Sequence, residues 1–399
     1  MEMQMTAFVA GAAAPAFVRP VNHSGLSRLE DFCAKADFDK PTLVLDIDRV
    51  EEQYRALKAG LGHADIHYAV KANPHRDVLE RLVHLGSHFD CASRGEIEMC
   101  LALGARPETI SYGNTIKRAR DIAFAASVGV TLFAVDAEEE LVKIAENAPG
   151  AQVYVRLIVE ASQADWPLSR KFGCDGEMAL NLLDRAVELG LEPLGFSFHV
   201  GSQTRRADFW IPALDAFAGI WDEARARGHN LSLLNIGGGF PAFYGEEIQG
   251  PTRYAASVME LVTARFGHVE RVMAEPGRGM VAEAGMIVAE VVLTSRKSER
   301  DMHRWVYLSI GRFSGLAETE GEAIRYQFVT PHDGEAMGPC IVAGPSCDSA
   351  DVLYEKRPMN LPLALKSGDK VLIRNTGAYT STYSSVCFNG FPPLDVVAI

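Results

Sequence analysis

A lysine set between a buried apolar run and a turn is the first residue of this chain that could do chemistry. Lys71 follows Ile66-His67-Tyr68-Ala69-Val70 and precedes Ala72-Asn73-Pro74. Desolvation there favours loss of the proton, which Schiff-base formation requires. A strand-end lysine capped by a carboxylate is the plainer alternative. Gly237-Gly238-Gly239-Phe240-Pro241 and Glu275-Pro276-Gly277-Arg278 suggest phosphate binding. Glycines let backbone N–H groups approach phosphate oxygens, and Arg278 adds a charged fork. Glu275 would be repelled by a phosphate. It could instead keep a pyridine nitrogen protonated and so strengthen an electron sink, or simply pair with Arg278 or Lys71. His199 shares one face with Ser197 and Gly201 by strand alternation. With no H-x-H and no H-E-x-x-H in the chain, a metal centre is not expected. Gly344-Pro345-Ser346-Cys347-Asp348-Ser349-Ala350-Asp351 joins a thiol to two carboxylates, and by itself reads as a turn with a buried cysteine. The loops Asn375-Thr376-Gly377-Ala378-Tyr379-Thr380 and Phe388-Asn389-Gly390-Phe391-Pro392-Pro393 bear aromatics but say little alone.

These residues need elements to position them. Short β-rich runs at Asp65–Lys71, Ser87–Ala92, Thr109–Tyr112, Thr131–Val135, Gln152–Ile158, Pro193–Val200, Ser232–Ile236 and Glu270–Glu275 alternate with helical windows such as Val78-Leu79-Leu82-Val83. Eight strands with intervening helices predict an α/β fold, a (β/α)8 barrel of the TIM type, although an open doubly wound sheet fits the count too. In a barrel the chemistry collects at the strand ends. The ends here are Lys71, Asp90, Asp136, Arg156, His199, the Gly237 triplet and Glu275. After Arg278 helical periodicity fades and turn-separated strands follow. The expected organisation is therefore a barrel over 42–280 and a mostly β domain from 281–399 joined by 1–41.

Composition narrows the class. The chain has 399 residues, 48% hydrophobic and 23% charged, which suits a packed globular protein. A net charge of −13 disfavours nucleic acid as a partner. Seven cysteines without a C-x-x-C pair fit a reducing cytoplasm rather than a disulfide framework. The apolar patch Ala7–Val18 has no basic residue before it, so no signal peptide is expected. Ile122–Val135 is shorter than the roughly 20 residues of a membrane span, and no membrane association is expected.

The ordered series Tyr68-Ala-Val-Lys71-Ala-Asn73, Phe89-Asp90-Cys-Ala-Ser93, Ser197-Phe-His199-Val-Gly-Ser202, Gly237-Gly-Gly-Phe-Pro241, Glu275-Pro-Gly-Arg278, Cys347-Asp348-Ser-Ala-Asp351 and Gly377-Ala-Tyr379-Thr380 closely resembles the fold-type III pyridoxal-phosphate decarboxylases. Within them it is most similar to the bacterial ornithine and ornithine/lysine decarboxylases, from about residue 42 to the end. The resemblance implies that Lys71 carries pyridoxal 5'-phosphate as a Schiff base, that Glu275 pairs with the pyridine nitrogen and that His199 stacks on the ring. It implies that Ser202, Gly238, Gly239, Gly277, Arg278 and Tyr379 hold the cofactor, chiefly its phosphate, and that Tyr379 also meets the substrate. Asp90 and Arg156 would order the groups around Lys71.

By the same resemblance Cys347 returns a proton to the reacting carbon and Asp348 binds the distal ammonium of the substrate. Both would come from the partner subunit of a head-to-tail homodimer with shared active sites. The implied reaction converts L-ornithine to putrescine and carbon dioxide, as in polyamine biosynthesis. Lysine giving cadaverine is the second choice, and a non-catalytic cofactor-binding relative is the rival. The similar diaminopimelate decarboxylases usually carry Glu beside the cysteine, whereas Asp348 suits a substrate ending in an amine. One departure concerns that amine. Animal-type ornithine decarboxylases have an Asp-Gly pair where this chain has Ile310-Gly311, so the task would pass to Glu318, Glu320, Glu322 or water.

Overall fold

The computed structural model describes residues 23–159 and 171–399. The Ala7–Val18 patch and the first 22 residues of the N-terminal segment assigned to the β domain lie outside them.

Eight parallel strands close into a barrel: Asp65–Ala69 (β2), His88–Cys91 (β3), Ile110–Tyr112 (β4), Leu132–Val135 (β5), Gln152–Arg156 (β6), Glu192–Ser197 (β7), Leu233–Asn235 (β8) and Arg271–Ala274 (β9), following Thr42–Leu45 (β1). Closure comes from β9 pairing with β2, Asp65 opposite Met273 and Ile66 opposite Ala274. The open-sheet alternative is thereby excluded. Each predicted strand is present but shorter, because residues at one or both ends leave the ladder to enter the loops. Lys71 sits in a 3-10 turn, Val70–Ala72, just past β2.

Alternation sorts the barrel residues. Phe89, Phe133, Val135, Val153, Val155 and Phe196 join the core beneath the helices. Leu132, Ala134, Tyr154, Leu233 and Met273 form a separate cluster inside the barrel. Since successive strand residues face opposite ways, the inward set continues along the strands to Arg156 and Glu275, both of which line the cavity at the strands' C-terminal end. The helices are capped where the sequence allows it. The Asp46 carboxylate accepts Asp48 N–H at 3.1 Å at the head of Ile47–Leu61. Ser93 accepts Glu96 N–H, while Glu96 in turn accepts Ala92 N–H, fixing the turn that follows Asp90.

The second sheet comprises Gly285–Ser295 (β10), Arg304–Leu308 (β11), Gln327–Val329 (β12), Met337–Ala343 (β13), Val352–Pro362 (β14), Lys370–Arg374 (β15) and Asp395–Ala398 (β16), in the order β12-β15-β10-β11-β13-β14. Strand β1 lies antiparallel to β10 and parallel to β16. Thr42–Leu45, grouped with the barrel from sequence, is thus a strand of the second sheet, and the barrel begins beyond it. Its run of four buried residues carries no mark of which sheet will take it. The helix His23–Lys35 packs here too, with Leu29 and Cys33 against Val44, Met286, Val288 and Leu372.

The domains are stitched beside the Lys71 turn. Asn73 Nδ2 donates to Gly377 O at 2.7 Å, and Tyr379 N–H donates to Ala72 O at 2.9 Å. A loop of the β domain is thereby pinned over the barrel mouth.

Candidate active site

The mouth of the barrel holds a cavity of about 250 Å³. Lys71, Asp90, Arg156, His199, Ser202, Gly238, Gly239, Glu275, Gly277, Arg278 and Tyr379 all line it. The strand-end acid Asp136 does not. Its carboxylate accepts Gly173 N–H at 2.7 Å and holds the loop after β6, next to Phe172, whose ring lies under the Arg156 guanidinium at 5.3 Å.

Lys71 Nζ lies 3.2 Å from Asp90 Oδ2. Desolvation by the cavity walls would push the lysine toward its neutral form, although its side chain, 48% exposed, stays open to the cavity. The Asp90 carboxylate beside it outweighs that, helped less by Tyr379 and Glu275, and its pKa rises. The expectation that desolvation strips this proton is corrected. In the cofactor-free chain Lys71 is an ammonium ion paired with a buried aspartate, and a ligand that takes this nitrogen must first displace that pair.

Glu275 is held by a residue that sequence reading did not single out. Asn235, at the end of β8, donates from Nδ2 to Glu275 Oε1 at 2.5 Å. Its own Oδ1 accepts Gly237 N–H at 2.9 Å, which fixes the orientation of the amide. Burial and the nearby Asp90 raise the Glu275 pKa to about 7, against the opposing pull of Lys71, Asn235 and Arg156. The carboxylate is therefore poised to share a proton with a basic partner. The alternative that Glu275 pairs with Arg278 or Lys71 is not realised as a contact, since those cations take Glu318 and Asp90.

His199 is neutral. Burial, with Arg156 and Lys71 close by, holds its pKa well below the usual range. Nδ1 accepts Gly201 N–H at 3.0 Å, so the ring proton resides on Nε2.

The rim beyond His199 depends on missing side chains. A Cβ at Gly238 would lie 2.8 Å from Glu275 O and 2.9 Å from His199 Nε2, and one at Gly277 would lie 2.9 Å from Ala72 Cβ. Arg278 is buried here. Its terminal nitrogens donate to both Glu318 oxygens at 2.8 and 2.6 Å, to Ser202 Oγ at 3.1 Å and to Tyr244 Oη at 3.1 Å. The Tyr379 ring centre is 5.0 Å from the guanidinium carbon. An amine, a carboxylate with a raised pKa, a neutral imidazole and a glycine-rimmed arginine thus surround one cavity. That donor set fits a pyridine ring carrying an aldehyde and a phosphate.

Cys347 and Asp348 stand elsewhere. Neither lines the cavity, and Cys347 is exposed. The buried-cysteine reading of this turn is corrected. Asp351 is the buried member instead, accepting Arg312 N–H at 2.7 Å and Ser346 N–H at 3.1 Å. The turn is built on that carboxylate, so the thiol points outward. Of the three acids considered for the distal amine, Glu318 alone lines the cavity. Glu320 pairs with Arg312 at 2.8 Å. Glu322 accepts backbone N–H groups of Glu355, Lys356 and Arg357.

Near the start of the barrel strands, Asp65, His67 and His88 bring potential ligand atoms within 4.8 Å of one another. Arg271 reaches the same atoms, 3.6 Å from Asp65 Oδ2 and 3.5 Å from His67 Nε2, and supplies the positive charge there. No helix among the described residues is long and apolar enough to cross a membrane.

Residues 47–282 match the family described as pyridoxal-dependent decarboxylase, pyridoxal binding domain. Over 354 residues the chain is 38% identical to the lysine/ornithine decarboxylase of Selenomonas ruminantium, covering 88% of this chain and 87% of that protein. The solved structure of SrLDC in complex with PLP and cadaverine is similar at a TM-score of 0.82, with 34% identity over 96% of this chain and 94% of the other. A lysine/ornithine decarboxylase from Vibrio vulnificus complexed with cadaverine also matches at 0.82, with 34% identity over 94% and 98% of the two chains.

Proposed function

The chain belongs to the pyridoxal-dependent decarboxylases, and on that premise we propose that it decarboxylates a basic L-amino acid, ornithine first and lysine second, releasing a diamine for polyamine synthesis in the cytoplasm. One observation carries the reading: Lys71, Glu275, His199 and Arg278 converge on a single cavity whose rim tolerates only glycine at 238 and 277. Pyridoxal 5'-phosphate supplies the electron sink that accepts the pair left behind by departing carbon dioxide.

The chain's own residues do the rest. Lys71 is the amine that would hold the cofactor and yield it to the substrate, and Asp90 pairs with its ammonium form in the cofactor-free chain. Glu275, aimed by Asn235, holds a proton between itself and the ring nitrogen. His199 forms one wall of the ring slot. Ser202, Gly238, Gly239, Gly277, Arg278 and Tyr379 bind the phosphate end, and Arg156 orders the groups near Lys71. Cys347 then gives its proton to the reacting carbon.

In this reading Cys347 and Asp348 serve the cavity of a second chain. They lie outside this chain's own cavity lining and are exposed. Beside them stand Val386, Phe388 and Phe391, apolar side chains open to solvent, which suits burial against a second copy. This supports a head-to-tail homodimer with Asp348 of the second subunit as the carboxylate offered to the distal ammonium, since both oxygens of Glu318 are taken by Arg278.

The test is turnover. Purified protein with pyridoxal phosphate is given L-ornithine, L-lysine, L-arginine or meso-diaminopimelate, and carbon dioxide and amine are measured. Ornithine is expected to give the highest kcat/KM and lysine the next. If none of the four is turned over, the decarboxylase reading fails.

A further inference from the structure

We propose that Asn389 is the positioning residue for Cys347, an assignment that rests on Cys347 being the proton donor of the decarboxylation. A single carboxamide oxygen, Asn389 Oδ1, accepts the Cys347 backbone N–H at 3.1 Å and also stands 3.5 Å from Cys347 Sγ, within reach of the S–H proton. The contact therefore fixes both the main chain that carries the thiol and the rotation of the thiol itself. An amide oxygen can accept from S–H, and it has nothing to donate to a thiolate. The contact thus belongs to the protonated form, which is the form that delivers a proton.

The local backbone explains why an asparagine stands there. Cys387, Asn389 and Gly390 all have positive φ, at 59°, 51° and 82°, so the chain makes a tight left-handed curl. Among residues with a side chain, asparagine enters that region at low cost, and it alone of the three brings an amide oxygen. The curl is anchored on both sides. Phe388 packs on Phe313 with ring centres 4.8 Å apart, Ser385 N–H donates to Phe313 O at 2.8 Å, and Leu394 N–H donates to Ser384 Oγ at 2.8 Å. Asn389 thus reaches Cys347 from a fixed base, across 42 residues of sequence. The Phe388–Pro393 segment, uninformative as a motif, acquires a purpose.

The consequence concerns where the proton goes. With the thiol aligned, the carbanion left by carbon dioxide takes the Cys347 proton on the substrate carbon, and the product is a diamine. With the thiol misaligned, a proton from water would go instead to the carbon that the cofactor's aldehyde supplies, and hydrolysis by a further water would release an aminoaldehyde and leave the amino nitrogen with the cofactor. The ratio of aminoaldehyde to diamine reports the alignment directly.

The experiment compares Asn389→Gly, which keeps the left-handed backbone and removes the amide, with Asn389→Asp, which keeps an accepting oxygen, and with Cys347→Ser. In the holoenzyme, Asn389→Gly is expected to raise the aminoaldehyde share about tenfold or more, while KM stays within about twofold of the parent. Asn389→Asp should restore most of the diamine. In cofactor-free protein, alkylation of Cys347 by iodoacetamide, followed by peptide mass spectrometry, should be about threefold faster or more in Asn389→Gly, because the thiol rotor is released. An unchanged product ratio in Asn389→Gly beside a raised one in Cys347→Ser overturns the role of Asn389 alone. Unchanged ratios in both overturn the role of Cys347 as donor, and this proposal with it. An unaltered alkylation rate overturns the clamp.

Discussion

The mouth of the barrel and the Cys347 turn are both candidate halves of one reaction centre, yet they are built in opposite ways. At the barrel mouth the charged groups have buried partners within the chain: Lys71 with Asp90, Glu275 with Asn235, Arg278 with Glu318. At the Cys347 turn the thiol is exposed, and its contacts are one carboxamide and a turn resting on Asp351. Groups held in low dielectric by several partners keep their geometry without a ligand. An exposed group on a turn has fewer partners, and here a single carboxamide aligns the thiol. One half is thus held by several buried partners and the other by one exposed contact, which the proposed second subunit would cover.

The contrast breaks most visibly at Lys71. Lys71→Ala should abolish the Schiff-base absorbance and lower kcat by on the order of 10³ or more, since both the covalent anchor and its proton transfers are lost. A variant that keeps a borohydride-reducible adduct would place the Schiff base elsewhere. Next in size is the division of labour between subunits. Lys71→Ala and Cys347→Ala chains mixed in equal amounts should recover up to about one quarter of the parental activity, because half the dimers are mixed and each has one intact site. No recovery, with subunit exchange demonstrated, would mean that each site is built from one chain.

Two further predictions concern the stability of the barrel mouth. Glu318→Gln leaves the Arg278 guanidinium buried without its countercharge and should cost about 3–5 kcal/mol in cofactor-free protein, measured by urea unfolding. Added inorganic phosphate should return part of it. A change below about 1 kcal/mol, the range of an exposed pair, would show that the pair is not the internal strut described above. The smallest effect is linked to pH. Folding raises the Glu275 pKa from 4.5 to about 7, so the folded state favours the protonated acid. Its contribution is present below pH 4.5 and is lost as pH rises through 7. Glu275→Gln should therefore gain stability relative to the parent across that window, by up to about 3 kcal/mol in cofactor-free protein. A difference that stays flat from pH 4.5 to 7.5 would contradict the assigned shift.

Much of this centre can be read along the chain, because strand alternation is a local rule. An inward position at the end of a short apolar strand or just past it points toward the barrel mouth, and Lys71, Asp90, Arg156, His199 and Glu275 reach the cavity that way, although Asp136 obeys the same alternation and is drawn off to Gly173. What the rule omits is partnership. Asn235 reads as an ordinary strand residue until the closing of β8 on β9 brings it against Glu275, 40 positions later. Glu318 stood in the sequence as one of three interchangeable acids, and the packing of its 3-10 segment against Arg278 separates it from Glu320 and Glu322. The state of Lys71 differs from the sequence expectation for the same reason: the apolar flank is visible in the sequence, whereas the countercharge of the buried Asp90 arrives from the next strand.

Sequence by itself determined the alternation of eight strands with helices, the ionisable residues at the strand ends and the resemblance to the family, since each follows from periodicity and ordered short motifs that are local in the chain, whereas the pairing of β9 with β2 closed the strands into a barrel. Tertiary structure decided which sheet takes Thr42–Leu45, which carboxylate neutralises which cation, and that Cys347 faces outward with Asn389 at its back. Those outcomes depend on contacts between residues far apart in the chain, and a through-space energy has no signature until the chain has closed.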